Sequence, residues 1–338
     1  MSVSEAGWAA VSTGTERTLP LLVSPMAGEA LDSWLEALAH RHGAPFGLIL
    51  QRCGIHPESM SRAMTGVNRG LLGRVARITG VEPDELHSMT LARYADMGIA
   101  CAGSGQRARP TAWGWLTTSR WCPRCLEESS GRWLLAWRLN WSFACTTHRC
   151  LLVDLCPSCG GPQRRHAHST LRIPQPGRCA LTRPTDSVHG RVPCLTDLTT
   201  APRSTAPDMQ SVLNAQRCID DLLAGRPVDL PFYKGELPSH RQLLLDIAIV
   251  ARWAAGVPTT HGREMRVAGR HSQLLQGNRS ARDVAVGATF ALAVLQSPSV
   301  ADAVGLLQLC STHAATTRPP GWVNLSPALL RAVERIHQ

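Results

Sequence analysis

"CTTHRCLLVDLCPSC", Cys145 to Cys159, places five soft-metal ligands within fifteen residues: Cys145, His148, Cys150, Cys156 and Cys159. A second close pair stands upstream in "CPRC" (Cys122 and Cys125), and two single cysteines, Cys179 and Cys194, stand downstream. Spacing sorts them into two sets. The first reads Cys122-x2-Cys125-x19-Cys145-x2-His148; moved on by 34 residues, Cys122 falls on Cys156, Cys125 on Cys159 and Cys145 on Cys179. Each set is a Cys-x2-Cys knuckle, a nineteen-residue loop and a third cysteine. This is close to the ribbon spacing in which short turns bring two ligand pairs to the corners of a tetrahedron. His148 moved on by 34 becomes Thr182, which cannot serve, so Cys194 or His189 must close the second set. Thiolate is softer than imidazole and "VPCL" looks like a knuckle turn, which favours Cys194. Cys150 is then left over as a buried small hydrophobe, as are Cys53, Cys101, Cys218 and Cys310.

The N-terminal "MSVSEAGWAAVSTGTERT" contains Glu5 and Glu16 and no apolar run of signal-peptide length. The longest apolar runs, Leu243 to Val250 and Val284 to Leu295, fall short of the roughly 18 residues needed to cross a bilayer. A cytoplasmic chain without a membrane span is expected. In a reducing compartment, clustered cysteines read as metal sites rather than disulfides, and the softness of the ligands points to two structural zinc ions. Such an ion contributes about 10–16 kcal/mol of apparent binding free energy in small fingers, comparable with the whole stability of a domain at about 5–15 kcal/mol. Removing zinc should therefore unfold the middle of the chain.

A catalytic zinc is disfavoured by the same ligand count. "HPE" (His56, Glu58) followed by "CPRC" has a superficial likeness to the deaminase signature, but Trp121 rather than proline precedes Cys122. Cys145 and His148 complete a set of four, leaving no corner for a water. No G-x-S-x-G elbow, Walker A loop or G-x-G-x-x-G fingerprint occurs. The chain is expected not to be an enzyme.

The formal charge of +10 is concentrated where the cysteines are. Residues 1–98 carry 8 basic and 10 acidic side chains, residues 99–205 carry 14 and 5, and residues 206–338 carry 13 and 10. Seven thiolates and two divalent ions would remove three positive charges from the middle segment, so part of its arginine excess balances the sites. Of the 35 basic residues only Lys234 is a lysine. The arginine-rich loops Arg164 to Arg178 and Arg183 to Arg191 are candidate nucleic-acid contacts, with Arg164, Arg165, Arg172 and Arg178 as the named residues.

Between the knuckles, Trp133, Leu135, Trp137, Leu139, Trp141 and Phe143 occupy every second position, the period of a β-strand with one apolar face. Trp113, Trp115 and Trp121 are expected in the same cluster. The N-terminal part reads instead as five short helices cut by Gly43, Gly54, Gly66 and Gly80, with Pro45, Pro57 and Pro83 at helix starts. This punctuation predicts a helix-turn-helix-like bundle over 19–98. Its recognition-helix candidate is Asn68 to Thr79, showing Arg69, Arg74 and Arg77. A net charge of −2 over residues 1–98 argues for gripping protein rather than phosphate. A double zinc-binding module is predicted over 110–198, "TTAPRSTAPD" is read as a linker, and an all-α part follows over 208–338. Its helical segments are Met209 to Leu223, Arg241 to Ala255, Ala281 to Gln296 and Val300 to Leu309. The fold class is thus mainly α with a small β zinc-ribbon-like module.

"LPLLVSPMAGEALDSWLEALAHRHG", "TGVEPDELHSMTLARY" and "WCPRCLEE…WRLNWSFACTTHRCLLVDLCPSCGG" together resemble the TniQ family over roughly residues 19–200. Ala30 stands where the family string has serine. The resemblance implies one zinc on Cys122, Cys125, Cys145 and His148 and another on Cys156, Cys159, Cys179 and Cys194. It also implies a transposon-encoded adaptor that joins a recognised target, either DNA or an RNA-guided effector, to an AAA+ ATPase regulator of the TnsC/TniB type. Through that regulator the adaptor reaches the transposase. A homodimer is compatible with this role. The alternative expectation is a free-standing nucleic-acid-binding transcriptional regulator.

Overall fold

Glycine and proline set the limits of the N-terminal helices. In the computed structural model, residues 19–66, 69–99, 117–165, 169–184, 191–234, 237–254, 280–313, 318–319 and 321–337 are described. Helices α1 (Leu31–Arg41), α2 (Phe46–Arg52), α3 (Met60–Thr65), α4 (Arg69–Thr79) and α5 (Pro83–Ser88) follow one another. Each of the first four ends against a glycine with positive φ: Gly43, Gly54, Gly66 and Gly80. Glycine closes a helix in this conformation without the steric cost that a Cβ carries. The α1 stripe of Leu31, Trp34, Leu35, Leu38 and Ala39 is buried, and so are Leu72, Val75 and Ile78 of α4.

The middle of the chain is irregular apart from α6 (Pro123–Glu128) and two small antiparallel ladders. Strands β1 (Ala144–Cys145) and β2 (Cys150–Leu151) pair with Cys145 opposite Cys150. Strands β3 (Thr182–Pro184) and β4 (Arg191–Pro193) pair with Arg183 opposite Val192. The architecture is mainly helical with a small β component, as the residue pattern predicts.

The strand expected over Trp133 to Phe143 is not formed. Leu135–Arg138 closes into a 3-10 turn, and only Ala144 and Cys145 enter a ladder. The odd-numbered side chains are buried as the alternation requires, but Arg138, Asn140 and Ser142 on the other side are buried too. Their polar groups are matched by partners from elsewhere. Arg138 pairs with Asp32, while Arg120 donates to the Asn140 carbonyl (3.1 Å), the Asn140 Oδ1 (3.0 Å) and the Ser142 carbonyl (2.7 Å). Buried backbone groups must be paired, and here the Arg120 guanidinium takes the Asn140 and Ser142 carbonyls that a neighbouring strand would otherwise satisfy. Trp121 joins this cluster, 5.7 Å from Trp133, which in turn meets Trp137 edge-on at 5.8 Å. Trp113, Trp115, Cys101 and His189 lie outside the described residues.

Helices α7 (Met209–Leu223), α8 (His240–Ala254), α9 (Ala281–Leu295), α10 (Val300–His313) and α11 (Pro327–Glu334) form the C-terminal part. Three agree closely with the expected segments; α10 runs four residues further, and α11 was not anticipated. Gly287 lets α9 press onto α8: an added Cβ there would lie 2.7 Å from the Ala251 carbonyl oxygen. Two anchors hold this part to the metal-ligand region. Gln216 of α7 accepts from the Phe143 and Ala144 amides (2.8 and 3.0 Å), and Asp154 accepts from the Ala281 amide that begins α9. The "TTAPRSTAPD" stretch is not a free tether, because the Leu151 amide donates to the Ser204 carbonyl at 2.9 Å and Ala201 is buried. Among the described residues no helix is long and apolar enough to cross a membrane.

Candidate metal centres

Each ligand pair is delivered by a turn. Cys122 precedes α6, whose Pro123 starts the helix and whose first turn brings Cys125 back beside it. Cys145 ends β1, and the tight turn to β2 carries His148, whose amide donates to the Cys145 sulfur at 3.3 Å. Across the two knuckles, His148 Nδ1 lies 3.4 Å from Cys122 Sγ, 3.2 Å from Cys125 Sγ and 3.6 Å from Cys145 Sγ; Cys125 and Cys145 sulfurs are 3.5 Å apart. In the second cluster Cys156 and Cys194 sulfurs are 3.8 Å apart, and Cys159 and Cys179 sulfurs 3.7 Å. In both, all four ligand atoms lie within 4.8 Å of one another. A disulfide requires about 2.05 Å between sulfurs. A tetrahedron with metal–sulfur bonds of about 2.3 Å has edges of roughly 3.8 Å, which matches.

The surroundings fit a cation as well. His148 Nε2 lies 3.0 Å from Glu128 Oε1, so the proton sits on Nε2 and Nδ1 is left with its lone pair facing the thiols. Hydrogen bonds from Cys125 and Cys145 hold the Cys122 thiol well below the ordinary range, while the Cys122 contact and burial drive Cys125 up. Without a cation the cluster can carry little negative charge; with one, every thiol can ionise. In the second cluster burial raises Cys194, but hydrogen bonds from Thr196 outweigh it and hold the thiol at about 6. Gln163 Nε2 donates to the Cys179 sulfur at 3.3 Å. Burial also raises Cys159, to about 11, and Cys179; at two cysteines away from the clusters it acts by itself. Burial alone pushes Cys53 and Cys310 up to about 12, the behaviour of unreactive core thiols.

All eight sulfur and imidazole ligands named from the sequence therefore converge, Cys194 among them. Cys150 is buried as expected, but not at a distance: opposite Cys145 in the ladder, its sulfur lies 3.8 Å from Cys122 Sγ. Spacing could not show this, because ladder register is set by the turn at His148.

The arginines divide. Arg69, Arg74 and Arg77 are exposed on α4, and Arg165 and Arg172 are exposed in the loop that follows the second knuckle. Arg178 faces Asp197 at 3.4 Å. Arg164 is a correction: its side chain is only 6% exposed and cannot be a free surface contact. It pairs with Asp32 (2.9 Å) and with Glu36 of α1, its guanidinium 5.3 Å above the Trp133 ring. Burial penalises the charges, yet Arg138 and Arg164 hold the Asp32 carboxyl below its ordinary value, and Asp32 and Glu36 hold the Arg164 guanidinium above its own. The rest of that loop is also tied down. The Phe46 amide donates to the Arg172 carbonyl (3.0 Å), and the Gly47 amide to that of Thr170 (2.8 Å).

Two four-residue Cys/His clusters, each able to hold a metal ion, lie in a segment tied by buried ion pairs to the helical N-terminal part. Residues 20–152 match the TniQ family model, and over that segment the chain is similar to the TniQ family. The matched segment contains the whole first cluster and stops before the second. Comparison with curated proteins finds no match.

Proposed function

We propose that this chain is a zinc-stabilised, non-enzymatic adaptor that links a recognised target to an AAA+ transposition regulator and through it to the transposase. The observation that carries the reading is the TniQ match ending inside a pair of ligand sets, each supplying four protein ligands to one point. Four ligands close a tetrahedron, so the ions serve to hold knuckles together rather than to activate water. Cys122, Cys125, Cys145 and His148 hold one zinc; Cys156, Cys159, Cys179 and Cys194 hold the other. The zinc supplies cross-links, and the chain's own surfaces do the recruiting. The test is co-purification of the full chain with an AAA+ ATPase of the TnsC/TniB type, together with mapping of insertion sites in its presence and absence. Lack of association, with insertion sites unchanged, would falsify the adaptor role.

A second reading, a free-standing DNA-binding regulator, is favoured by the exposure of Arg69, Arg74 and Arg77 on one helix. It predicts DNA affinity that falls steeply with salt and needs no ATPase.

A further inference from the structure

The helices beyond residue 208 lie outside the matched segment, and among the described residues they contribute no ligand to either cluster. They enclose a cleft of about 420 Å³ between the Pro231–Tyr233 turn, the start of α10 and one face of α11. Val300, Pro327 and Ala328 supply the apolar part of its lining, which serves as its floor; its charged lining residues are Lys234, Arg331 and Arg335, all exposed and all cationic. We propose that this cleft is the docking site for an acidic peptide segment of a partner protein. One aliphatic side chain seats on the floor while neighbouring carboxylates meet the three cations.

Three features support this occupant. Arg331 and Arg335 are one helical turn apart at the C-terminal end of α11, where the helix dipole alone favours cations. That explanation does not extend to Lys234, which comes from a different element. The chain's single lysine occupies a left-handed position, φ 47°, that a glycine would take more easily, and there it lines the cleft. Second, the floor is held in place from behind. The buried Asp246 accepts from Tyr233 Oη (2.6 Å), Gln242 Nε2 (2.9 Å) and the Ser326 amide (2.9 Å), tying α8, the turn and α11 together. A pre-formed site loses little ordering entropy when a peptide enters. Third, the shape argues against nucleic acid. Phe232 and Tyr233 are only 3% and 4% exposed, so neither ring offers a face for a base to stack on. Three cations around one concavity also differ from the stripe that follows a phosphate backbone.

The inference goes beyond the adaptor reading and does not depend on it. The test is fluorescence anisotropy on the full chain with three labelled probes of equal length. These are a peptide of Asp and Glu flanking one Leu, the same peptide with Asn and Gln, and a single-stranded oligodeoxynucleotide. The acidic peptide should bind, and its amide counterpart should bind at least roughly tenfold more weakly, the equivalent of about 1.4 kcal/mol. Arg331→Glu with Arg335→Glu should abolish binding through charge. Ala328→Trp should abolish it by filling the floor with the charges left in place. Unchanged circular dichroism and thermal midpoint would establish that both variants fold. No binding of the acidic peptide, equal binding of the amide peptide, or peptide binding unchanged in the variants overturns the proposal. So does an oligonucleotide that binds more tightly and is lost in the same variants, or self-association of the chain that the variants abolish.

Discussion

Replacing Arg164 by alanine separates the buried-pair account of this residue from the surface-contact role its sequence neighbourhood suggests. The guanidinium sits among Asp32, 5% exposed, and Glu36, 4% exposed, while Arg138 provides a second cation for Asp32 only. Removing Arg164 takes away the guanidinium that pairs with the buried Glu36 carboxylate, and truncating one member of a buried pair costs about 3–5 kcal/mol. Loss of the guanidinium over Trp133 adds roughly 0.5–2 kcal/mol. Arg164 has φ 62°, so alanine, unlike glycine, keeps the backbone cost unchanged and isolates the side chain. Against a domain stability of about 5–15 kcal/mol, the loss is a large fraction of the total. The measurement is urea unfolding followed by tryptophan fluorescence at constant metal content. A paired variant, Arg164→Met with Glu36→Leu, should recover most of the loss, because apolar replacement of a whole buried pair is often neutral. An unfolding free energy for Arg164→Ala that falls by less than about 1 kcal/mol, with weakened DNA binding instead, would show that the side chain contacts phosphate.

The other predictions concern the first metal centre, a buried carboxyl and a helix contact. Glu128→Gln removes the charge that orients His148 and should weaken zinc binding at the first cluster by roughly 10–100-fold, read by competition with a chromophoric chelator; an unchanged affinity refutes the orienting role. Asp220 is raised by burial from 3.8 to about 6. Between those values the folded chain retains a proton that the unfolded chain has released, so stability falls as pH rises through the window. Asp220→Asn keeps the acceptor for Gln216 and should remove that fall, with a gain of about 1–2 kcal/mol at pH 7 after allowance for partial exposure and none at pH 4. Parallel stability–pH curves for the two proteins would contradict it. Gly287→Ala gains about 1 kcal/mol of helix propensity but forces the Ala251 carbonyl away, at a cost of about 1–3 kcal/mol; a lowered thermal midpoint is expected, and a raised one would show that α8 can yield.

The metal clusters were legible because ligand chemistry restricts both residue type and spacing. A Cys-x2-Cys turn presents two sulfurs to one point wherever it occurs, so Cys122, Cys125, Cys156 and Cys159 identify themselves. The helices of the first hundred residues were legible for a similar reason, since Gly43, Gly54, Gly66 and Gly80 each occupy a conformation that other residues avoid. The Trp133 to Phe143 stretch misled because alternation reports which side chains are buried and not which hydrogen bonds the backbone makes. Arg138, Asn140 and Ser142 read as a polar face, and only their distant partners show that they are interior.

The sequence by itself singled out the eight candidate ligand residues, with His189 as the alternative to Cys194, the helix limits and the TniQ resemblance, all of which depend on contacts or conformations spanning a few tens of residues. Tertiary structure alone decided that Arg164 is a core residue, that Cys150 stands beside Cys122, and that three cations from two elements meet around one cleft. Asp32 and Arg164 are 132 positions apart, and no local pattern records a partner at that distance. Whether a charge is solvated or buried is set by what the fold brings against it, and that same choice separates an arginine free to bind a partner from one that holds the scaffold together.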